Sequence, residues 1–215
     1  MTGLVLHSYW RSSAAYRVRI GLNLKGVAYA QVTHDLRTDA HRAADYLALD
    51  PQGLVPTLET SDGVLTQSLA ILEWLEERHP DPPLLPKTPG ARAIVRGMAQ
   101  IVAADIHPLN NLRVLGVLRR DLGASEVQTQ AWIHKWIADG FAALETLIAA
   151  HGGEFSFGDA PTLADCALVP QVYNAGRFGA DLALYPSLMR VARAAAALPA
   201  FAEAHPSRQP DADPA

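Results

Sequence analysis

The chain has 215 residues, 49% of them hydrophobic and 19% charged, with a formal net charge of −4. This composition supports a packed core in one large or two small domains and excludes a disordered chain. The mildly acidic balance excludes a global attraction for nucleic acid or anionic lipid. No run of about 20 apolar residues offers a membrane span, and the first residues lack the charged start and apolar stretch of a secretion signal.

In chain order, Leu4-Val5-Leu6-His7 predicts a short strand. The turn from Trp10 to Ala14 leads into a helix reaching about Lys25, and Gly26 stops it. Tyr29 to Thr33 predicts a second strand, and residues 40–49 a polar helical stretch. Asp50-Pro51-Gln52-Gly53 is turn chemistry. Val55 to Glu59 predicts a third strand, Ser61-Asp62-Gly63 a tight hairpin, and Val64 to Thr66 the returning strand. Ser68 is expected to cap a helix over Leu69 to Arg78, whose Ile71, Leu72 and Leu75 share one face. The order β-α-β-α-β-β-α predicts a compact α/β domain over residues 1–83.

Five prolines between His79 and Gly90 read as a connector, with residues 84–90 as the linker itself. From Ala91 onward the pattern is helical, with helices near 91–118, 126–150, 162–178, 187–197 and 199–205, so residues 91–206 are expected to form an all-helical domain. Thr162-Leu163-Ala164-Asp165 has the form of a capping box, with Asp where Glu is commoner. The apolar-poor residues 207–215 are expected to be a disordered tail.

Read residue by residue, the chemistry is modest. Cys166 is the one cysteine and sits in an apolar run, so it reads as a small buried hydrophobe, and the chain as cytoplasmic. The eight histidines show no H-E-x-x-H spacing and there is no C-x-x-C, so no metal site is expected. Ser12 and Ser13 form a turn-and-cap pair before a helix. Gln67-Ser68 stands at another helix start, where unpaired N–H groups and a partial positive charge suit an anion. His107 precedes Pro108 and marks a kink. All the basic residues except Lys25, Lys87 and Lys135 are arginine, whose planar forks suit carboxylates.

Six stretches carry a resemblance. They are Ser12-Ser13-Ala14-Ala15-Tyr16-Arg17-Val18-Arg19-Ile20, Asn23-Leu24-Lys25-Gly26-Val27-Ala28-Tyr29, Pro51-Gln52-Gly53-Leu54-Val55-Pro56-Thr57-Leu58, Leu65-Thr66-Gln67-Ser68-Leu69-Ala70-Ile71, Asp105-Ile106-His107-Pro108-Leu109-Asn110-Asn111 and Phe157-Gly158-Asp159-Ala160-Pro161-Thr162-Leu163-Ala164-Asp165. Together they resemble the zeta class of glutathione transferases, from about Leu4 to Pro206. The Val-Pro and Gln-Ser pieces are general to glutathione transferases. The Ser-Ser-x-x-x-Arg-Val-Arg run and Asp-Ile-His-Pro-x-Asn-Asn are specific to zeta. One departure is Ala14, where the family often has cysteine.

The resemblance implies a thioredoxin-like α/β domain followed by an all-α domain, assembled as a homodimer. It implies glutathione as cofactor and cis–trans isomerisation of a maleyl-keto acid, maleylacetoacetate or maleylpyruvate, to its fumaryl isomer. A cis Val55–Pro56 bond would aim the Val55 backbone at the cysteinyl part of glutathione, and Gln67 with Ser68 would hold the γ-glutamyl carboxylate. Ser12, helped by Ser13, would steady the thiolate, with Arg11 beside them in the catalytic group. His41 and Gln52 would serve the glycine end. Ala14, Asp105, Ile106, His107, Asn111 and Arg113 would add glutathione contacts, His107 from the helical domain. Arg11, Arg113 and Arg177 would clamp a small substrate with two carboxylate-type ends. Two other readings stay open: a glutathione transferase or dehalogenase acting on small 2-halo acids, and a non-catalytic glutathione-binding module.

Overall fold

The computed structural model describes residues 3–213; the expected first domain's Met1 and Thr2 and the expected tail's Pro214 and Ala215 lie outside the described residues. The strands are β1 (Leu4–Ser8), β2 (Tyr29–Thr33), β3 (Thr57–Thr60) and β4 (Gly63–Thr66). The α-helices are α1 (Ser13–Leu24), α2 (Ala44–Leu49), α3 (Ser68–Arg78), α4 (Pro89–Gln100), α5 (Leu112–Arg120), α6 (Glu126–His151), α7 (Leu163–Arg177), α8 (Pro186–Ala196) and α9 (Pro199–Ala204).

The chain divides into two compact units, one running up to Leu84 and resuming at Ala197, the other Leu85–Ala196. In the first unit the strand order is β2-β1-β3-β4, with β1 parallel to β2 and antiparallel to β3, and β3 antiparallel to β4. This is the α/β arrangement expected. Adjacent residues of β1 show how the sheet is covered, since neighbours on a strand point to opposite faces. Ser8 accepts a hydrogen bond from Arg19 of α1, while the His7 ring packs on Tyr46 of α2. On the α1 face lie Leu6, Val18, Ile71, Leu72 and Leu75, all buried. Gly21 lets α1 approach α3: a Cβ there would overlap the Leu72 side chain.

Several expectations are corrected. The third strand starts at Thr57, not Val55, because Pro56 has no N–H to offer the ladder. Ser68 is the first helical residue of α3, and Gln67 occupies the cap position. The polar stretch 40–49 divides into a 3₁₀ turn, Ala40–Arg42, and α2. The single helix near 91–118 is broken. After α4 the backbone is π-helical over Ile101–Ile106, where the His107 N–H reaches the Val102 carbonyl, and a 3₁₀ turn, Pro108–Asn110, precedes α5. Pro108, without an N–H and with its ring against the preceding turn, cannot continue a regular helix.

The C-terminal segment also differs from expectation. Residues 197–206, expected in the helical domain, pack with the first unit. Phe201 is fully buried, the Tyr16 hydroxyl donates to the Phe201 carbonyl at 3.4 Å, and Asn23 donates to the Ala200 carbonyl at 2.9 Å. Residues 207–213 are ordered too. Asp211 accepts from the Trp10 N–H at 2.9 Å, and Asp213 pairs with Arg37 at 2.8 Å. Two tail carboxylates with partners on the α/β unit are the physical reason.

The helical unit has its core in Val95, Met98, Val102, Ile106, Ile133, Phe141, Leu144 and Leu188. Thr162 caps α7 through the expected box: Asp165 accepts from the Thr162 N–H and the Ser156 N–H, both at 2.8 Å.

Candidate functional site

Two helix starts and one irregular peptide define the site in the α/β unit. At α1, Ser12 has extended backbone, and its Oγ accepts from the Ala15 N–H at 3.2 Å. That bond uses a lone pair and leaves the hydroxyl hydrogen to donate elsewhere. The Ser13 and Ala14 N–H groups fall in the first turn, where helices supply no acceptor. No acidic residue stands in that turn to neutralise its partial positive charge.

The loop ahead of Ser12 is fastened from below. Arg19 is fully buried and donates to the Ala204 carbonyl (3.1 Å), the Ser8 Oγ (3.0 Å) and the Trp10 carbonyl (3.0 Å). Burial lowers its pKa to about 10, so it keeps its charge at neutral pH. Arg11 is half-buried, its guanidinium 5.2 Å from the centre of the Trp10 ring.

Val55 precedes β3, and the Val55–Pro56 bond is cis; so is Asp81–Pro82, which was not expected. Among the described residues, neither the N–H nor the C=O of Val55 takes part in a hydrogen bond. Buried main-chain groups are rarely left so, and an unpaired N–H and C=O on one residue suit an extended peptide. The Tyr46 hydroxyl fixes the position just before it, donating to the Leu54 carbonyl at 2.5 Å.

At α3, Gln67 has φ 67° and ψ 113°. A non-glycine residue held there costs on the order of 1–3 kcal/mol. Its side chain does not cap the helix but donates to Gln52 Oε1 at 2.6 Å. The first-turn N–H groups of α3 are therefore left open, again with no acidic residue beside them. Gly53, at φ 60°, lies against the His41 carbonyl, where a Cβ would be crowded at 3.0 Å. His41, Gln52 and Gln67 thus border one another through this turn. The His41 Nδ1 is buried without a partner, and its pKa is lowered by burial and then by Arg42.

Arg17 was missed as a site residue in the sequence. It is 2% exposed, and its Nη1 donates to Ser68 Oγ at 3.2 Å. The readable signal was charge inside an apolar helix: Tyr16-Arg17-Val18-Arg19-Ile20 places two arginines where α1 meets the core. Asp211, in the expected tail, carried no such signal.

The remaining predicted residues belong to the helical unit. Asp105 is exposed and closes the π-helical stretch with Ile106. The Ile106 side chain is fully buried and packs where a Cβ on Gly140 would overlap it, so it is core. His107 is half-buried and leads into Pro108, and Asn110 donates to the Ile133 carbonyl at 3.5 Å. Asn111 caps α5 by accepting from the Arg113 N–H at 3.3 Å. The Arg113 and Arg177 side chains are exposed, Arg177 6.0 Å from the Phe178 ring centre. Cys166 is buried in α7. Among the described residues no group of three or more His, Cys, Asp or Glu is placed to hold a metal, and no helix is long and apolar enough to cross a membrane.

Comparison with known proteins agrees with this geometry. Residues 11–78 match the family model for the glutathione S-transferase N-terminal domain, and residues 130–178 match that for the C-terminal domain. A maleylacetoacetate isomerase of Pseudomonas aeruginosa is 51% identical over 209 residues, 96% of this chain and 97% of that protein. A solved bacterial maleylpyruvate isomerase of the zeta class matches at TM-score 0.95 and 49% identity, covering 97% of this chain and 100% of that one. A maleylacetoacetate isomerase from Methylobacterium extorquens, solved with malonate and glutathione bound, matches at TM-score 0.94 and 44% identity, covering 98% of this chain and 100% of that one. The chain therefore belongs to the glutathione S-transferase family. Within it, the chain is of the zeta class, the branch that holds these two kinds of isomerase.

Proposed function

We propose that this chain is a glutathione-dependent cis–trans isomerase that converts a maleyl-keto acid, maleylpyruvate or maleylacetoacetate, to its fumaryl isomer. The observation that carries the reading is the Ser12-Ser13 pair at the start of α1, with a hydroxyl hydrogen left to donate, in a chain half identical along its length to relatives so named. The site residues fit glutathione: the unpaired Val55 N–H and C=O suit its peptide backbone. The open first turn of α3, with Gln67 and Ser68, suits its γ-glutamyl carboxylate. His41 and Gln52 are assigned to its glycine end. Asp105, Ile106 through its backbone, His107, Asn111 and Arg113 are assigned as further contacts.

When bound, glutathione supplies a thiol nucleophile that the reaction returns unchanged. The chain's part is to make that thiol acidic and to receive charge. A thiol of pKa about 8.5 is mostly protonated at neutral pH. The Ser12 hydroxyl, with Ser13 and the start of α1, favours the thiolate by donating to it. Ala14 contributes only its main-chain N–H, and with the cysteine often found there absent, Ser12 is the donor. Arg11, Arg113 and Arg177 are assigned to the substrate's carboxylate ends. Their guanidinium charge also stabilises negative charge that builds on the keto oxygen as the double bond is opened. The protein is assigned to the cytoplasm, as a homodimer.

The test incubates purified protein with maleylpyruvate and maleylacetoacetate in parallel, with and without glutathione, following fumaryl product and glutathione together. Product that requires glutathione, with no net loss of the tripeptide, is expected. Turnover without glutathione would overturn the proposal. Loss of glutathione matched by halide release from 2-halo acids, faster than any maleyl turnover, would replace it with the dehalogenase reading.

A further inference from the structure

Arg17 is a deeply buried cation of the α/β unit, 2% exposed. Its Nε and Nη2 have no hydrogen-bond partner, and among the described residues no carboxylate pairs with it. Burial alone lowers its pKa, to about 10, so it remains protonated at neutral pH. Buried arginines are ordinarily paired or fully hydrogen-bonded; the neighbouring Arg19 has four acceptors, the Ala204, Tyr9 and Trp10 carbonyls and Ser8 Oγ.

Among the described residues the one hydrogen-bond partner of Arg17 is the Ser68 hydroxyl. A guanidinium only donates, so Ser68 Oγ must accept, and its own hydrogen is turned away from Arg17 to find another acceptor. Ser68 is the first residue of α3, an eleven-residue helix whose N-terminal N–H groups are open. An acceptor-only anion there would meet a hydroxyl donor, main-chain donors and a buried positive charge one residue behind.

We propose that Arg17 is a positioning residue for the carboxylate at the start of α3: it fixes Ser68 as a donor and supplies the charge that a γ-glutamyl α-carboxylate neutralises. This rests on the glutathione reading above but adds a residue to it, and predicts that affinity depends on that one carboxylate through Arg17.

The test compares binding of glutathione with binding of 4-aminobutyryl-cysteinylglycine, the same tripeptide without its α-carboxylate, by calorimetry. In the unaltered protein glutathione should bind at least about tenfold more tightly, the scale of a charge-assisted hydrogen bond. Arg17→Met should shrink that ratio to within about threefold, with glutathione affinity falling while the analogue's is unchanged. Arg17→Lys keeps the charge but loses the planar fork. It should reduce the ratio by several-fold and gives a reading if Arg17→Met does not fold. An unaltered ratio in the folded variant, or an equal loss for both ligands, would show a purely structural arginine and overturn the proposal. If the unaltered protein bound neither ligand, the glutathione reading itself would fail and this assignment with it. Binding of glutathione by the unaltered protein with an indifferent Arg17 variant would defeat the assignment alone.

Discussion

Ser12 carries two jobs on one oxygen. Its lone pair caps α1 and its hydrogen is assigned to the glutathione sulfur, so Ser12→Ala removes both. The expected result is a drop in kcat/KM on the order of 10²–10³, the scale of a lost donor to a developing anion, together with about 1 kcal/mol of stability from the lost cap. Ser12→Thr, which keeps the hydroxyl, should restore both; a threonine variant as inactive as the alanine one would show that the hydroxyl is not what matters. Histidines set a second expectation. His34 is lowered in pKa by burial and then by His7, His41 by burial and then Arg42, and His205 by burial and then Arg19. With folded values below the ordinary 6.5, the unfolded chain takes up these protons first as pH falls. The histidine contribution is complete above about pH 6.5, is lost as pH drops through that value, and levels off below the folded pKa values. Urea midpoints should therefore fall between about pH 7.5 and about pH 5.5, and fall less in His34→Gln. A midpoint flat across that range would contradict the assignment.

Helices α1 and α3 present their N-termini to the same task, and their spacing rests on Gly21. A methyl group there would overlap the end of the Leu72 side chain, itself fully buried, so Leu72 must repack. Gly21→Ala should cost about 1–3 kcal/mol despite alanine's better helix propensity. Leu72→Ala in the same chain should recover part of that cost, a coupling that denaturation of the two single and the double variants reads directly. Additive losses would show that the helices do not meet there. At this scale the sequence was most legible where the pattern is local. The strands β1, β2 and β4, the helices α3 and α6, and the Thr162 box follow from periodicity, turn residues and caps. It was least legible where a distant partner decides. Nothing local in Pro199 to Asp213 announces that Phe201 fills the core beside α1, or that Asp211 holds the Trp10 N–H. Nor does local pattern tell that the stretch ahead of Pro108 turns π-helical rather than ending in a simple kink. Arg17 and Arg19 stand inside an apolar helical run, and only the packing of α1 on α3 and α9 shows how deeply they are buried.

Across the molecule, chemistry-bearing residues fall on two separately built units. The α/β unit carries the glutathione-type features: an unpaired peptide at Val55, two open helix starts, and a strained Gln67. The helical unit carries Arg113 and Arg177, together with Cys166 in its core. The chain's one thiol is thus buried, and the account assigns the attack to a thiol brought in from solution. Replacing glutathione by S-methylglutathione tests this most directly, because the methyl group removes the nucleophile and leaves every other group of the tripeptide in place. The account predicts that the S-methyl compound binds, competes with glutathione, and supports no isomerisation of either maleyl substrate. Isomerisation at an undiminished rate with S-methylglutathione as the only tripeptide present would contradict it.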